Sequence, residues 1–188
     1  SLNSAYRAAR QRNIPIADAT NSNLFVAVSN LEGRPSRSPL DPWVMSTRPR
    51  MRHPAREATR WEDTFEYIGY DLDSGGRPYV ALGSSFKVTF NFHVLRDPGR
   101  HWQLFVHTDG PGPRINGDHE AVNGRYPTNF WRQGDFIRDQ LTINVPLTYR
   151  PGIYTVYMGF FDGGDRMRLE GGDHDRDNRV VVCRVNVR

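Results

Sequence analysis

The feature that most constrains the fold of this chain is a strict alternation of apolar and polar residues in the segment SSFKVTFNFHV. Its apolar side chains stand at Phe86, Val88, Phe90, Phe92 and Val94. Successive side chains of a β-strand point to opposite faces of its sheet, so a period of two predicts a strand with one buried face. We therefore predict that these phenylalanines and valines point into a core.

Shorter patterns of the same kind predict further strands after Trp61. These strands are expected at Thr64–Tyr70, Tyr79–Leu82, Trp102–Thr108, Phe136–Val145, Tyr154–Phe161 and Val180–Val187. Loops containing Gly, Pro, Asn and Asp separate them, and no convincing helical pattern lies between them. A series of strands without intervening helices predicts an all-β fold class, here an antiparallel β-sandwich that occupies residues 61–188.

Residues 1–60 are predicted to form a long, partly irregular N-terminal extension or linker. Leu2–Arg12 has the composition of a short helix, and Leu24–Val28 is an apolar segment suited to docking as a strand. Prolines interrupt every periodicity in the segment that follows, which is typical of extended chain. We interpret its basic residues as a solvated tether, with contact to an anionic surface as the alternative. They are Arg48, Arg50, Arg52, His53, Arg56 and Arg60.

The charge and the cysteine content exclude several classes of function. The formal net charge is +4, and Lys87 is the only lysine, so nearly all of the positive charge is arginine, as in bacterial genomes of high GC content. No nucleic-acid-binding motif concentrates this charge, and we expect no sequence-specific nucleic-acid contact. No stretch reaches the ~18 apolar residues that a membrane-spanning helix requires. Cys183, the single cysteine, lies in the apolar strand VVVCRVNV and is predicted to be a buried core thiol.

The segment VPLTYRPGIYTVYMGFFDGGDRMRL resembles an element of immunoglobulin-like, fibronectin-type accessory domains of bacterial extracytoplasmic and membrane-attached proteins. The resemblance rests on Val145–Pro146 at a strand end, the turn Pro151–Gly152 and Tyr154 at the start of the next strand, and it covers roughly residues 86–187. It implies an antiparallel immunoglobulin-like β-sandwich with an accessory or binding role and no catalytic residues. It also implies a location in the periplasm or at the cell surface, with any membrane tether outside this chain.

The longest loop, residues 109–135, combines turn residues with large aromatic side chains, and two interpretations fit it. The first is a small satellite core that holds the loop down. The second is a platform on which a sugar ring stacks, because flat rings match the C–H face of a sugar while polar groups bind its rim. The candidate ligand-binding residues are Trp102, Tyr126, Asn129, Trp131, Arg132 and Asp135.

An acidic loop near the C-terminus contains carboxylates that alternate as the first ligands of calcium loops do. The calcium candidates are Asp173, Asp175 and Asp177. The match then fails, because Asn178 stands where such a loop needs glycine and Arg184 where it needs a bidentate glutamate. Arg176 and Arg179 can neutralise the carboxylates without metal, so we expect a solvated turn, with calcium as the alternative.

A second set of metal-ligating residue types consists of His107, Asp109, Asp118 and His119. These residues could share a zinc ion only if the long loop folds back onto its strand. Ordinary hydrogen bonding within the loop is the favoured interpretation.

Together these patterns predict a non-catalytic extracytoplasmic binding module of a larger bacterial protein, one that recognises a glycan or another cell-envelope component. The alternative is a structural module that contacts other domains of its parent protein, or envelope proteins, through its N-terminal arm and sheet edges. No Ser/His/Asp order, phosphate-binding glycine loop or paired-carboxylate spacing predicts an enzyme. No cofactor is expected, with calcium as the alternative.

Overall fold

The computed structural model describes residues 40–188 and, before them, the strands Ile16–Ala17 (β1) and Val26–Ala27 (β2). The strands β1 and β2 pair with each other in antiparallel fashion, with Ile16 opposite Ala27. Part of the apolar segment Leu24–Val28 therefore pairs with a neighbour in the extension itself. The helix predicted at Leu2–Arg12 lies outside the described residues.

Residues 40–188 form two antiparallel sheets that pack on each other, which confirms the predicted all-β class. The six-stranded sheet has the order β12-β4-β5-β6-β9-β3. Its strands are Val44–Met45 (β3), His53–Trp61 (β4), Phe65–Asp73 (β5), Ser85–Val94 (β6), Phe136–Asn144 (β9) and Leu169–Glu170 (β12).

The five-stranded sheet has the order β11-β10-β7-β8, and β13 also pairs with β10. Its strands are Gln103–Asp109 (β7), Ile115–Asn116 (β8), Gly152–Asp162 (β10), Asp165–Arg166 (β11) and Val180–Val187 (β13). Two short 3₁₀ turns, Ala121–Gly124 and Thr128–Phe130, lie in the long loop. Within the described part of the chain, no helix has the length and apolar character needed to cross a membrane.

The alternating segment forms β6, and its predicted inner face is confirmed. Phe86, Val88, Phe90, Phe92 and Val94 are each at most 1% exposed. Their side chains meet the other sheet in a continuous core, in which Phe92 lies 5.4 Å from the Phe160 ring of β10. Cys183 is also part of this core, and burial raises the pKa of its thiol to about 12, as expected of a structural cysteine.

The prediction that the extension continues to residue 60 is wrong, because His53–Trp61 is a strand of the six-stranded sheet. Val44–Met45 also belongs to that sheet, where it pairs with β9. The sequence conceals β4 because only Thr59 and Trp61 of this strand are buried, so no alternation is visible. Arg56 and Arg60 lie on the exposed surface of this strand rather than along a free tether, whereas Arg48, Arg50 and Arg52 precede it.

The remaining strand predictions differ from the structure mainly at their ends. Predicted strands correspond to β5, β7, β9, β10 and β13, with ends displaced by up to three residues. Tyr79–Leu82 forms no extended strand, and only Val80 makes a bridge, to Val187. The two-residue strands β3, β8, β11 and β12 were not predicted, since two residues carry no periodicity.

We predict that Phe90→Ala lowers the free energy of unfolding by about 3–5 kcal/mol, because the substitution removes a fully buried ring and leaves a cavity. Lys87→Ala on the exposed side of the same strand is the matched control and should change stability by less than about 0.5 kcal/mol. Urea denaturation of both variants measures the difference. Equal effects would show that the inner face of β6 is wrongly assigned.

Candidate functional site

The aromatic rings of the long loop do not form a surface for stacking a sugar. Trp102 is 6% exposed, Tyr126 2% and Trp131 0%. Trp131 inserts between the sheets, with its ring 4.9 Å from Phe65 and 6.1 Å from Phe160. The predicted stacking platform is therefore wrong, and the satellite-core interpretation describes the loop.

Hydrogen bonds inside the loop explain why it is ordered without being a binding surface. Trp131 Nε1 donates to the Tyr126 carbonyl at 2.9 Å, and the Tyr126 hydroxyl donates to the Phe130 carbonyl at 2.7 Å. The three polar candidate residues, Asn129, Arg132 and Asp135, are also bonded within the loop or partly buried. The Arg132 amide donates to Asp135 Oδ2 at 3.0 Å, and Asn129 is half-buried.

The acidic loop is organised by an arginine. The Arg179 guanidinium donates to Asp175 Oδ2 through Nε at 2.8 Å and Nη2 at 2.6 Å, while Asp175 Oδ1 accepts the backbone amides of Asp177 and Arg179. Burial alone would raise the pKa of Asp175, but the hydrogen bonds from Arg179 outweigh it and the pKa is lowered. Both oxygens that Asp175 could offer a calcium ion therefore already accept hydrogen bonds, Oδ2 from the guanidinium and Oδ1 from the two backbone amides. Asp173 and Asp177 do not join Asp175 in a common set of metal ligands, since the described residues contain no cluster of three metal-ligating side chains.

The two histidines of the zinc candidate set have different partners. His107 Nδ1 lies 3.3 Å from Arg179 Nη1 on the outer face of the five-stranded sheet. His119 points to the other sheet, where its Nε2 lies 2.7 Å from Asp139 Oδ2 and its Nδ1 lies 2.7 Å from the Gly117 carbonyl. Because one nitrogen faces a carboxylate and the other a carbonyl, the charged imidazolium satisfies both contacts. His119 and Asp139 tie the long loop to β9.

A groove of about 840 Å³ opens at the side of the sandwich, between β4 of one sheet and β13 of the other. We call it the side groove. On one wall lie residues of β4 and β5, and on the other lie the start of β13 and the loop before it. The lining consists of Arg52, His53, Pro54, Ala55, Arg56, Glu57, Thr59, Tyr67, Tyr70, Gly172, Asp173, Val180, Val181 and Val182.

A large bulge in β4 creates the space for this groove. Pairing with β5 is regular up to Pro54 opposite Gly69 and resumes at Thr59 opposite Tyr67. Between these points four residues, 55–58, stand opposite Ile68 alone. Bulges of this kind bend the strand and end its pairing locally, and they are common next to binding sites.

Two glycines fix the loop that forms the far end of the groove. Gly171 and Gly172 have φ of +71° and +68°, which side chains other than glycine rarely adopt. A Cβ on Gly171 would overlap the Ala58 carbonyl oxygen, and one on Gly172 would overlap Thr59 Oγ1. Only glycine allows the loop backbone to approach the bulge of β4 this closely.

Tyr67 is one of the residues that line the groove. Its side chain is 5% exposed, and its hydroxyl makes no hydrogen bond within the described structure. Burial is the main reason that the pKa of this hydroxyl lies well above its ordinary value, so Tyr67 stays neutral. A buried hydroxyl without a partner costs about 1–3 kcal/mol.

The rim of the groove combines a flat aromatic surface with charged groups. The rings of His53 and Tyr70 stack with their centroids 4.6 Å apart and their planes 12° from parallel. Arg56, Glu57 and Asp173 are exposed around them. An apolar ring face beside donors and acceptors is the arrangement that suits a sugar.

Sequence reasoning missed this groove for two reasons. Its walls come from segments more than a hundred residues apart, and the pairing of β4 with β5 that defines the bulge is not visible in the sequence. The Gly171–Gly172 pair was the one local signal, since two adjacent glycines beside aspartates indicate a tight loop. Nothing in the sequence indicates that the Tyr67 hydroxyl lacks a partner.

The fold and the groove together define an all-β sandwich with a side opening between its two sheets. No protein-family model matches the chain, and no curated protein sequence matches it.

A solved structure with a similar fold is the crystal structure of the C-terminal domain of Wzt. The match has a TM-score of 0.50, covers 74% of this chain and 82% of that chain, and has 13% sequence identity. At this identity the similarity concerns the fold alone.

We predict that calcium leaves the thermal unfolding midpoint unchanged, because both oxygens of Asp175 already accept hydrogen bonds. A ligand present at 100 times its dissociation constant would stabilise the fold by about 2.7 kcal/mol. Melts in millimolar calcium and in chelator should therefore agree. A rise of several degrees in calcium that Asp175→Ala abolishes would contradict this reading of the loop.

We also predict that His119 stabilises the fold at low pH. Burial lowers its pKa, but the hydrogen bond and charge of Asp139 outweigh burial, so the folded pKa lies above the ordinary 6.5. The stabilisation is then fully present below about pH 6.5 and is lost as the pH rises through the raised pKa. Urea titrations of wild type and His119→Asn at several pH values test this. The difference between them should be largest at acid pH, and a difference independent of pH would refute the charged pair.

Proposed function

We propose that this chain is a non-catalytic binding module of a larger bacterial extracytoplasmic protein and that it recognises a glycan in the side groove. The observation that carries the proposal is made at Tyr67, a residue that lines the groove and whose buried hydroxyl has no hydrogen-bond partner in the described structure. Folded proteins pair nearly all such groups, and an exception in a groove favours a ligand that pairs it.

The composition of the groove supports a sugar as that ligand. The stacked rings of His53 and Tyr70 offer a flat apolar face, and sugar rings present C–H groups to such faces. Thr59 and Tyr67 bring hydroxyl-bearing side chains to the lining, while Arg56, Glu57 and Asp173 offer charged donors and acceptors at the rim. A sugar needs both kinds of contact, because its ring faces are apolar and its edges carry hydroxyl groups.

The carboxylates of the groove favour binding over hydrolysis. Hydrolysis of a glycosidic bond uses one carboxyl group as a general acid, and burial in apolar surroundings is what keeps that group protonated. Glu57 and Asp173, the carboxylates that line the groove, are both exposed to solvent. This supports a module that holds a glycan without cleaving it.

The fold supports a role within a larger protein. A domain of similar fold is the C-terminal domain of Wzt, so this architecture occurs as one part of a longer chain. The resemblance of residues 86–187 to immunoglobulin-like accessory domains favours a bacterial envelope protein as the parent. Other domains of that protein are then the expected neighbours of the module.

The test is the substitution Tyr67→Phe, which removes the unpartnered hydroxyl and nothing else. Because that hydroxyl makes no bond in the folded protein, its loss should leave the free energy of unfolding unchanged or slightly raised. Binding should weaken by about 5–10-fold, the contribution of about one hydrogen bond. The probe is the strongest binder from an array of bacterial envelope oligosaccharides, and calorimetry gives its affinity.

Tyr79→Phe is the matched control, since Tyr79 lies outside the groove. It should leave the affinity of the same oligosaccharide unchanged. Failure of every array oligosaccharide to bind, or equal affinity for wild type and Tyr67→Phe, would refute the proposal.

A further inference from the structure

An arginine-rich segment of the chain crosses the outer face of the six-stranded sheet. The strands β3 and β4, which this segment connects, lie on opposite sides of β9, β6 and β5. The connection therefore spans four inter-strand spacings of ~4.8 Å, or about 19 Å. Eight peptide steps reach at most about 26–29 Å, so the connecting chain must be largely extended. We call residues 46–52 the strap.

Close contacts hold the strap on the sheet. Gly69 of β5 is paired with Asn91, which points away from the core because its neighbours along β6 point into it. A Cβ on Gly69 would overlap Met51 Sδ of the strap, so glycine lets the strap lie directly on this face. The Arg52 amide also donates a hydrogen bond to Asp71 Oδ1 at 2.7 Å. The strap therefore has a fixed position on a rigid scaffold.

The side chains of the strap alternate between the sheet and the solvent. Pro49 and Met51 are partly buried, whereas Arg48, Arg50 and Arg52 are exposed. In an extended chain every second side chain points the same way, at intervals of about 6–7 Å. The three arginines consequently form a row on the outer side of the strap.

The arginines of this row have no protein partners, unlike many arginines of this molecule. Arg114, for example, lies 2.7 Å from a carboxylate oxygen of Asp109. Within the part of the chain that the structure describes, the side chains of the three strap arginines and of Arg56 form no hydrogen bond or ion pair. Their donors are therefore available to a ligand.

The net charge of the protein is concentrated at this place. Residues 42–56 contain four arginines and no acidic residue. The other 21 basic residues of the chain are matched in number by its 21 acidic residues. Positive charge gathered on one ordered surface attracts an anionic partner, whereas charges of both signs in equal number do not.

The position of the row favours a polymer as that partner. Arg52 lines both the side groove and a depression of about 490 Å³ beside the strap, and Arg56 lines the groove. A linear molecule held in the groove can therefore continue along the strap. A membrane presents its anionic headgroups over a plane, and the carboxylates of Asp71 and Asp73 beside the strap would oppose such a plane.

We propose that the strap binds the acidic units of a polysaccharide whose adjoining units occupy the side groove. This inference names the class of glycan and rests on the proposed function. Each guanidinium can donate two parallel hydrogen bonds to one acidic group. Several acidic groups on one polymer then bind together, because the first contact raises the effective concentration of the next.

The test compares two probes that differ in charge. Oligogalacturonate carries one carboxylate on each sugar, and its methyl ester has the same sugars without charge. By calorimetry, the protein should bind oligogalacturonate about tenfold more tightly than the ester. That preference should disappear when the ionic strength rises from about 0.1 M to about 1 M, which shortens the screening length from ~10 Å to ~3 Å.

The variant Arg48→Gln/Arg50→Gln removes two charges of the row and leaves every residue of the side groove in place. It should bind oligogalacturonate about 3–10-fold more weakly and the methyl ester as tightly as wild type does. Arg150→Gln/Arg184→Gln is the matched control, because both arginines are exposed and lie away from the strap, before β10 and in β13. The control should keep wild-type affinity for both probes.

Each other outcome has a defined meaning. Absence of oligogalacturonate binding, equal affinity for the two probes, or an equal loss in the control would overturn the inference. Vesicles of phosphatidylglycerol and phosphatidylcholine that bind wild type but not Arg48→Gln/Arg50→Gln would reassign the strap to a lipid surface and also overturn it. A strap effect without any effect of Tyr67→Phe would count against the groove alone, and the reverse would count against the strap alone.

Discussion

A cluster of aromatic rings between the two sheets holds this structure together. Trp61 and Phe92 of the six-stranded sheet contact Phe160 of the other sheet, with ring centroids 4.9 and 5.4 Å apart. Trp131 joins the same cluster from the long loop, 5.7 Å from Phe92. Rings of this size bury large apolar areas and add favourable edge-to-face contacts. The cluster fixes the spacing of the sheets, and it also commits the loop aromatics to the core.

That commitment removes the aromatic rings of the long loop from the candidate binding surfaces. The long loop closes one part of the sandwich with its tryptophan. Between the bulge of β4 and the start of β13 the edges of the two sheets stay apart, and this gap is the side groove. A rigid core beneath an irregular edge strand is a common way to present polar groups at fixed positions. Tyr67 connects the two regions, since its ring lies 6.4 Å from Phe92 and the residue also lines the groove.

The sequence predicted the structure correctly where a regular alternation of apolar and polar residues runs through a whole strand. Phe86 to Val94 could be assigned to a strand and to its buried face, because alternation there is uninterrupted. The sequence did not predict β4, because the bulge and the exposed arginines of this strand interrupt the alternation. It also did not predict the burial of Trp131, because an aromatic residue in a loop has the same sequence pattern whether it lies on the surface or in the core. The candidate site depends on which atoms lack partners, and that property exists only after distant segments have met.

The central claim is that recognition occurs between the edges of the two sheets rather than at the long loop. Hydrogen–deuterium exchange in the presence of the bound oligosaccharide tests this most directly, because ligand contact slows exchange of the backbone amides that it covers. The account predicts slower exchange in residues 53–59 and 172–182, with residues 109–135 unchanged. Slower exchange confined to residues 109–135 would contradict it.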